Sequence, residues 1–186
     1  MTDVHDLRVR LADPERDAAA VADIYRPAVD ATIASFEAVA PDAAEMARRM
    51  RSTLERTPWV VAHVGESVIG YAYAGPHRER AGYRWSVDVS AYVHPEWQGR
   101  RVGRALYDEL LTTLRRQRFV NVYAGIALPN PASVALHESI GMRRIGVYER
   151  VGWKAGAWLD VAWFGMRIGE PTEPPAEPIP LPELGA

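Results

Sequence analysis

The stretch SAYVHPEWQGRRVGRAL, Ser90 to Leu106, decides how the chain is read. A strand ending at Val93 passes through His94-Pro95 into a basic turn, Gln98-Gly99-Arg100-Arg101, and the turn opens a helix whose Val102, Leu106, Leu110 and Leu114 recur as one apolar stripe that ends near Arg118. Such a turn aims several unpaired backbone N–H groups and the positive end of a helix at one point, which suits a di-anion, and Arg100, Arg101 and Arg104 reinforce it. There is no Gly-Lys-Ser/Thr run and no Gly-x-Gly-x-x-Gly run, which disfavours nucleotide hydrolysis. Spacing alone fits a solvated basic helix start equally well.

Upstream, Leu7 to Leu11 reads as a short strand, followed by a helix with Asp13 as N-cap and Pro14 in its first turn. A second helix spans Asp42 to Arg56, with Met46, Met50 and Leu54 on its apolar side. WVVAHV and SVIGYAYAG, joined at Gly65-Glu66, form a hairpin pattern, then comes the charged loop HRERAG and a third strand from Trp85 to Val93. Downstream, Phe119 to Ile126 reads as a strand, and a helix follows with Asn130 as N-cap, Pro131 first and Gly141 as its C′ glycine. Two more strands are joined by a loop centred on Trp153 to Gly156. The order argues a single α/β domain with a mixed central sheet flanked by helices, over residues 1–168. Residues 169–186 hold six of the 14 prolines and read as an extended or disordered tail.

Composition excludes several classes. With 186 residues, 48% hydrophobic and 25% charged, the chain suits one globular domain. The net charge of -2 gives no basic field for a nucleic acid. No apolar run suits a membrane helix and the first residues carry acids, so a cytoplasmic protein is expected. With no cysteine there is no thiolate nucleophile and no sulfur-built zinc site, and His5, His63, His77 and His94 show no metal spacing, so no metal is expected.

The run from Tyr92 through Gln98-Gly99-Arg100-Arg101-Val102-Gly103-Arg104 resembles the Gln/Arg-x-x-Gly-x-Gly/Ala signature of the GCN5-related N-acetyltransferases (GNAT). With PWVVAHV, GYAYAGP, Tyr83-Arg84-Trp85, GIALPNPASVALHESIGM and GWKAGAWLDVAWF, nearly the whole chain resembles the phosphinothricin N-acetyltransferase family. The resemblance implies a mostly antiparallel sheet, a homodimer, and transfer of acetyl from acetyl-CoA to the α-amine of a small amino acid such as phosphinothricin, methionine sulfoximine or methionine sulfone, by direct attack in a ternary complex. It also implies acetyl-CoA contacts at Ala91, Tyr92, Val93, Gln98, Gly99, Arg100, Arg101, Val102, Gly103, Arg104, Asn130 and Ser139, and a substrate site of Phe36, Arg78, Arg80 and Tyr83. The signature's first glycine falls on Arg101, whose Cβ restricts backbone approach to a phosphate unless its φ is negative. The family's acidic residue, usually glutamate, falls on Asp88, one methylene shorter.

An amine attacks only as the free base, so Asp88 or its water is the candidate base. The oxyanion needs a backbone N–H donor, which the resemblance places near Tyr92 and Val93. His137 is the candidate acid or relay, expected to face the groove where the Asp88 strand parts from its neighbour. Asp88 as a satisfied structural carboxylate, His137 as a packing residue and the arginine loop as solvated surface remain alternatives. So do two other functions, acetyl transfer to another amine and a CoA-binding module without turnover.

Overall fold

The computed structural model describes residues 6–185, so His5 lies outside it. Seven strands and four helices follow one another as β1 (Arg8–Leu11), α1 (Pro14–Asp30), α2 (Ala43–Leu54), β2 (Trp59–Val64), β3 (Ser67–Pro76), β4 (Ser86–Val93), α3 (Val102–Arg116), β5 (Asn121–Ala127), α4 (Pro131–Ser139), β6 (Arg143–Lys154) and β7 (Ala157–Arg167). They form one mixed sheet in the order β1-β2-β3-β4-β5-β7-β6. Every neighbouring pair is antiparallel except β4 and β5. This is the expected α/β architecture.

Strand alternation gives the sheet two apolar faces. On one, Val60, Ala72, Ala74, Val87, Val89, Val122 and Phe164 pack with Leu106, Leu110 and Leu114 of α3. On the other, Trp59, Val61 and Tyr71 pack with Val21, Ile24 and Tyr25 of α1 and Met46 and Met50 of α2. Caps start three helices: Asp13 accepts from Glu15 N–H at 2.9 Å, Asp42 from Glu45 N–H at 2.8 Å and Asn130 from Ser133 N–H at 3.1 Å. Gly141 follows α4 at φ +97°. No helix among the described residues is long and apolar enough to cross a membrane.

The last hairpin corrects the sequence reading. Trp153 and Lys154 belong to β6, paired with Trp158 and Ala157, and the loop is only Ala155-Gly156, both at positive φ. A two-residue turn of this hand matches the twist of the strands it joins. The run from Gly169 is extended and held in place: Ile179 N–H donates to Gln117 O at 2.9 Å, Leu181 N–H to Arg56 O at 3.1 Å, and Gln117 Nε2 to Ile179 O at 2.8 Å.

Candidate active site

The site begins at a fork. β4 pairs with β5 only from Ser86 to Asp88, opposite Asn121 to Tyr123. Beyond that, β5 keeps its partner β7, while Val89 to Val93 remain paired with β3 alone. Every second residue from Val89 to Val93 therefore turns its N–H and C=O toward the opening. Ala91, Tyr92 and Val93 sit on this lip.

At the end of β4, a short 3-10 turn (Pro95–Trp97) leads to Gln98, whose Nε2 donates to Val93 O at 3.3 Å. Gly99 at φ +73° and Arg101 at φ +65° swing the chain into α3. Unlike the other three helices, α3 has no side-chain cap, and its first turn carries no acid. The N–H groups of Val102, Gly103 and Arg104 find no acceptor among the described residues. This is a preorganised anion cradle at the mouth of the fork.

Arg101 adopts the left-handed φ that its Cβ disfavours, so it takes the glycine's conformation at a cost of about 1 kcal/mol. Arg104 does not point into the turn: it pairs with Asp108 at 3.0 Å and donates to Ser139 O at 2.8 Å, tying α3 to the end of α4. Ser139 itself donates from its hydroxyl to Leu136 O at 2.7 Å. Gly103 has a second duty, because a Cβ there would lie 2.9 Å from Leu136 Cδ2, so its absence lets α4 approach α3. Arg100 lies over the Trp97 ring, 5.1 Å from its centroid.

On the α1/α2 side of the sheet, Asp88 stands opposite Gly75 of β3 and Tyr123 of β5. Its Oδ1 lies 2.6 Å from His77 Nδ1. The His77 ring packs 4.5 Å from Tyr123, with Tyr83 and Trp163 at 6.1 and 6.2 Å. Burial pushes the Asp88 carboxyl above its ordinary value, against the pull of His77 and Arg78. Arg78 donates to His77 O at 2.7 Å and reaches over Trp163, so the structure gathers Asp88, Arg78 and Tyr83 around one imidazole. Arg80 caps the 3-10 turn Ala81–Tyr83 with its backbone and makes no ion pair among the described residues.

Phe36 sits elsewhere, with its ring over Gly152 of β6, where an added Cβ would overlap it. Its loop is held by Lys154 Nζ, which donates to Val29 O at 2.6 Å and to the carbonyls of Ser35 and Glu37. Glu37 also receives the Tyr25 hydroxyl at 2.8 Å, and Tyr25 meets Tyr92 edge-on at 4.9 Å, which carries the loop toward the fork.

His137 does not face the groove as expected. It is 5% exposed, its Nδ1 lies 2.7 Å from Ser133 O, and its Nε2 lies 2.8 Å from the Tyr107 hydroxyl. A carbonyl only accepts, so Nδ1 carries the proton and Nε2 accepts from Tyr107. Burial lowers the His137 pKa and keeps the ring neutral. No N–H remains for a sulfur leaving group. Asn130 spends its Oδ1 on the α4 cap and keeps its amide nitrogen.

Sequence reasoning missed His77 as a site residue. Its signal was indirect: His77 follows β3, its N–H donates to Ser86 O, and hairpin pairing then brings it across to Asp88 eleven residues later. Tyr73, opposite Ser90, and Tyr123 and Trp163 of the wall were equally unmarked.

The acetyltransferase (GNAT) domain model matches residues 11–163. The chain belongs to the GNAT acetyltransferase family. Among GNAT relatives, it is 35% identical over 164 residues to the phosphinothricin N-acetyltransferase of Streptomyces viridochromogenes, covering 88% of this chain and 90% of that protein. It is 34% identical over 171 residues to the L-methionine sulfoximine/L-methionine sulfone acetyltransferase of Salmonella typhimurium, covering 91% and 99%. Its fold superposes on the GNAT phosphinothricin acetyltransferase of Sinorhizobium meliloti, solved in complex with acetyl-CoA, with a TM-score of 0.85 and 35% identity, covering 94% of each chain.

Proposed function

We propose that this GNAT enzyme transfers acetyl from acetyl-CoA to the α-amine of a small amino acid such as phosphinothricin, methionine sulfoximine or methionine sulfone. The observation that carries this is the meeting of an uncapped α3 N-terminus, an opened β4–β5 fork and the half-buried Asp88 carboxyl on one strand. The free amides of Val102, Gly103 and Arg104, with Arg100 and Arg101 beside them, hold the pyrophosphate. A backbone N–H on the Val89–Val93 lip holds the oxyanion. Asp88 supplies the negative charge that drives deprotonation of the substrate ammonium, and Arg78 and Arg80 hold the substrate's anionic end. The chain has no cysteine, which favours direct attack in a ternary complex.

The working unit we propose is a homodimer. β6 is an edge strand whose Ile145, Tyr148, Val151 and Trp153 are exposed, with Trp158 of β7 beside them, and a second copy would cover that apolar face. The experiment is a thiol-release assay with acetyl-CoA across a panel of amino acids, diamines and peptides, read as kcat/KM. Highest turnover on phosphinothricin, methionine sulfoximine or methionine sulfone supports the reading, and a preference for diamines or peptides removes it.

A further inference from the structure

We propose that the atom receiving the amine proton is Nε2 of His77, with Asp88 as the carboxylate that orients the ring. The inference rests on the acetyltransferase reading above and assigns its proton acceptor. Aspartate at position 88 stops one methylene short of a glutamate, and an imidazole stands at its tip, 2.6 Å away. Nδ1 is occupied by Asp88, while Nε2 has no hydrogen-bond partner among the described residues and is not sealed from solvent. The ring is fixed by Tyr123 against one side and by Tyr83 and Trp163 at its edges. The titratable and charged groups that face it are Asp88 from β4, Tyr83 from the 3-10 turn, Tyr123 from β5 and Arg78 of its own loop, whose guanidinium lies over Trp163. A carboxylate that accepts from Nδ1–H leaves Nε2 as the lone-pair nitrogen, which is the arrangement of a histidine base held by an acid.

The step balances as follows. The substrate ammonium gives one proton to Nε2, and the freed nitrogen lone pair forms the C–N bond to the thioester carbonyl. On collapse the C–S bond breaks, its electron pair leaves on sulfur, and the second nitrogen proton ends on that sulfur to give the CoA thiol. His77 returns its proton to water once the amide has left.

The test combines kinetics with the tautomer of the ring. Long-range 1H–15N spectra of the wild-type protein should show the proton of the neutral His77 ring on Nδ1. A proton on Nε2 overturns the proposal, whatever the variants do. His77→Gln, His77→Phe and Asp88→Asn should each lower kcat/KM for the amino acid by roughly 100-fold, flatten its rise with pH and leave the KM for acetyl-CoA unchanged. The double variant His77→Gln with Asp88→Asn should be no worse than either alone, because the two act as a unit. If His77→Phe keeps the wild-type rate and pH profile while Asp88→Asn is impaired, Asp88 acts alone: this inference is overturned and the acetyltransferase reading stands. If wild type transfers acetyl to no amine, both fail together.

Discussion

Asp88 and His137 lie on opposite faces of the central sheet. Val87 and Val89, the neighbours of Asp88 along β4, point into the α3-side core, and so do Tyr107 and Phe164, against which His137 packs. Asp88 itself points the other way, beside Tyr123 and His77. The proposed proton chemistry therefore gathers around Asp88, while His137 joins α4 to α3.

His137→Gln should accordingly lower the melting temperature by several degrees yet leave turnover per folded molecule within about twofold, since it disturbs a buried neutral hydrogen-bond pair. The pH dependence has a definite sign. Burial depresses the His137 pKa below its ordinary 6.5, so the unfolded chain takes up a proton there that the folded one does not. Wild-type stability should fall as pH drops below about 6.5, and this part of the slope should vanish in His137→Gln. Denaturation midpoints from pH 8 to 5 check both statements.

Asp88 has the opposite linkage. Burial raises its carboxyl pKa, so whatever stability the acid form retains is lost as pH rises through the folded value. Asp88→Asn should thus be at least as stable as wild type at neutral pH while losing roughly 100-fold in kcat/KM. Thermal melts paired with initial rates decide this, and a variant that loses both together would make Asp88 structural.

Arg101 and Gly103 separate backbone from ligand effects at the α3 turn. Arg101→Val places a β-branched residue at φ +65° and should cost about 1 to 3 kcal/mol, whereas Arg101→Gly should be near neutral in stability. Gly103→Glu should lose stability as well as acetyl-CoA affinity, because its Cβ meets Leu136. Urea titrations and calorimetry with acetyl-CoA read the two quantities independently.

The proline-rich tail braces the segment that follows the Arg78–Arg80 loop. Trp85 Nε1 donates to Ala176 O at 2.8 Å and the Arg84 guanidinium lies 2.9 Å from Glu177, at the end of the segment that begins with His77. Removing residues 176–186 should raise the KM for the amino acid several-fold and leave that for acetyl-CoA nearly unchanged. Equal shifts in both constants would show a general loosening instead.

Local chemistry in the chain foretold most of the fold. Asp13, Asp42 and Asn130 cap the helices they were expected to cap, and Gly141 ends α4, because capping depends on neighbours in sequence. What escaped was long-range or competitive. Arg104 was drawn away from the turn by Asp108 one helical turn on, and His137 by Tyr107 of another helix. The His77–Asp88 contact depends on the register of the β3–β4 hairpin, which residue spacing alone leaves open. The tail looked too poor in apolar residues to hold a place, yet backbone hydrogen bonds to Gln117 and Arg56 hold it.

The most direct test of the acetyltransferase account is steady-state acetyl transfer to phosphinothricin, methionine sulfoximine and methionine sulfone, measured for wild type, Arg78→Gln and Arg80→Gln. The account requires turnover of at least one of these by wild type, with each arginine variant raising the amino-acid KM by about tenfold and leaving the acetyl-CoA KM unchanged, the scale of one lost charge-assisted contact. Turnover confined to amines without an anionic group, or identical amino-acid KM values in all three proteins, would contradict it.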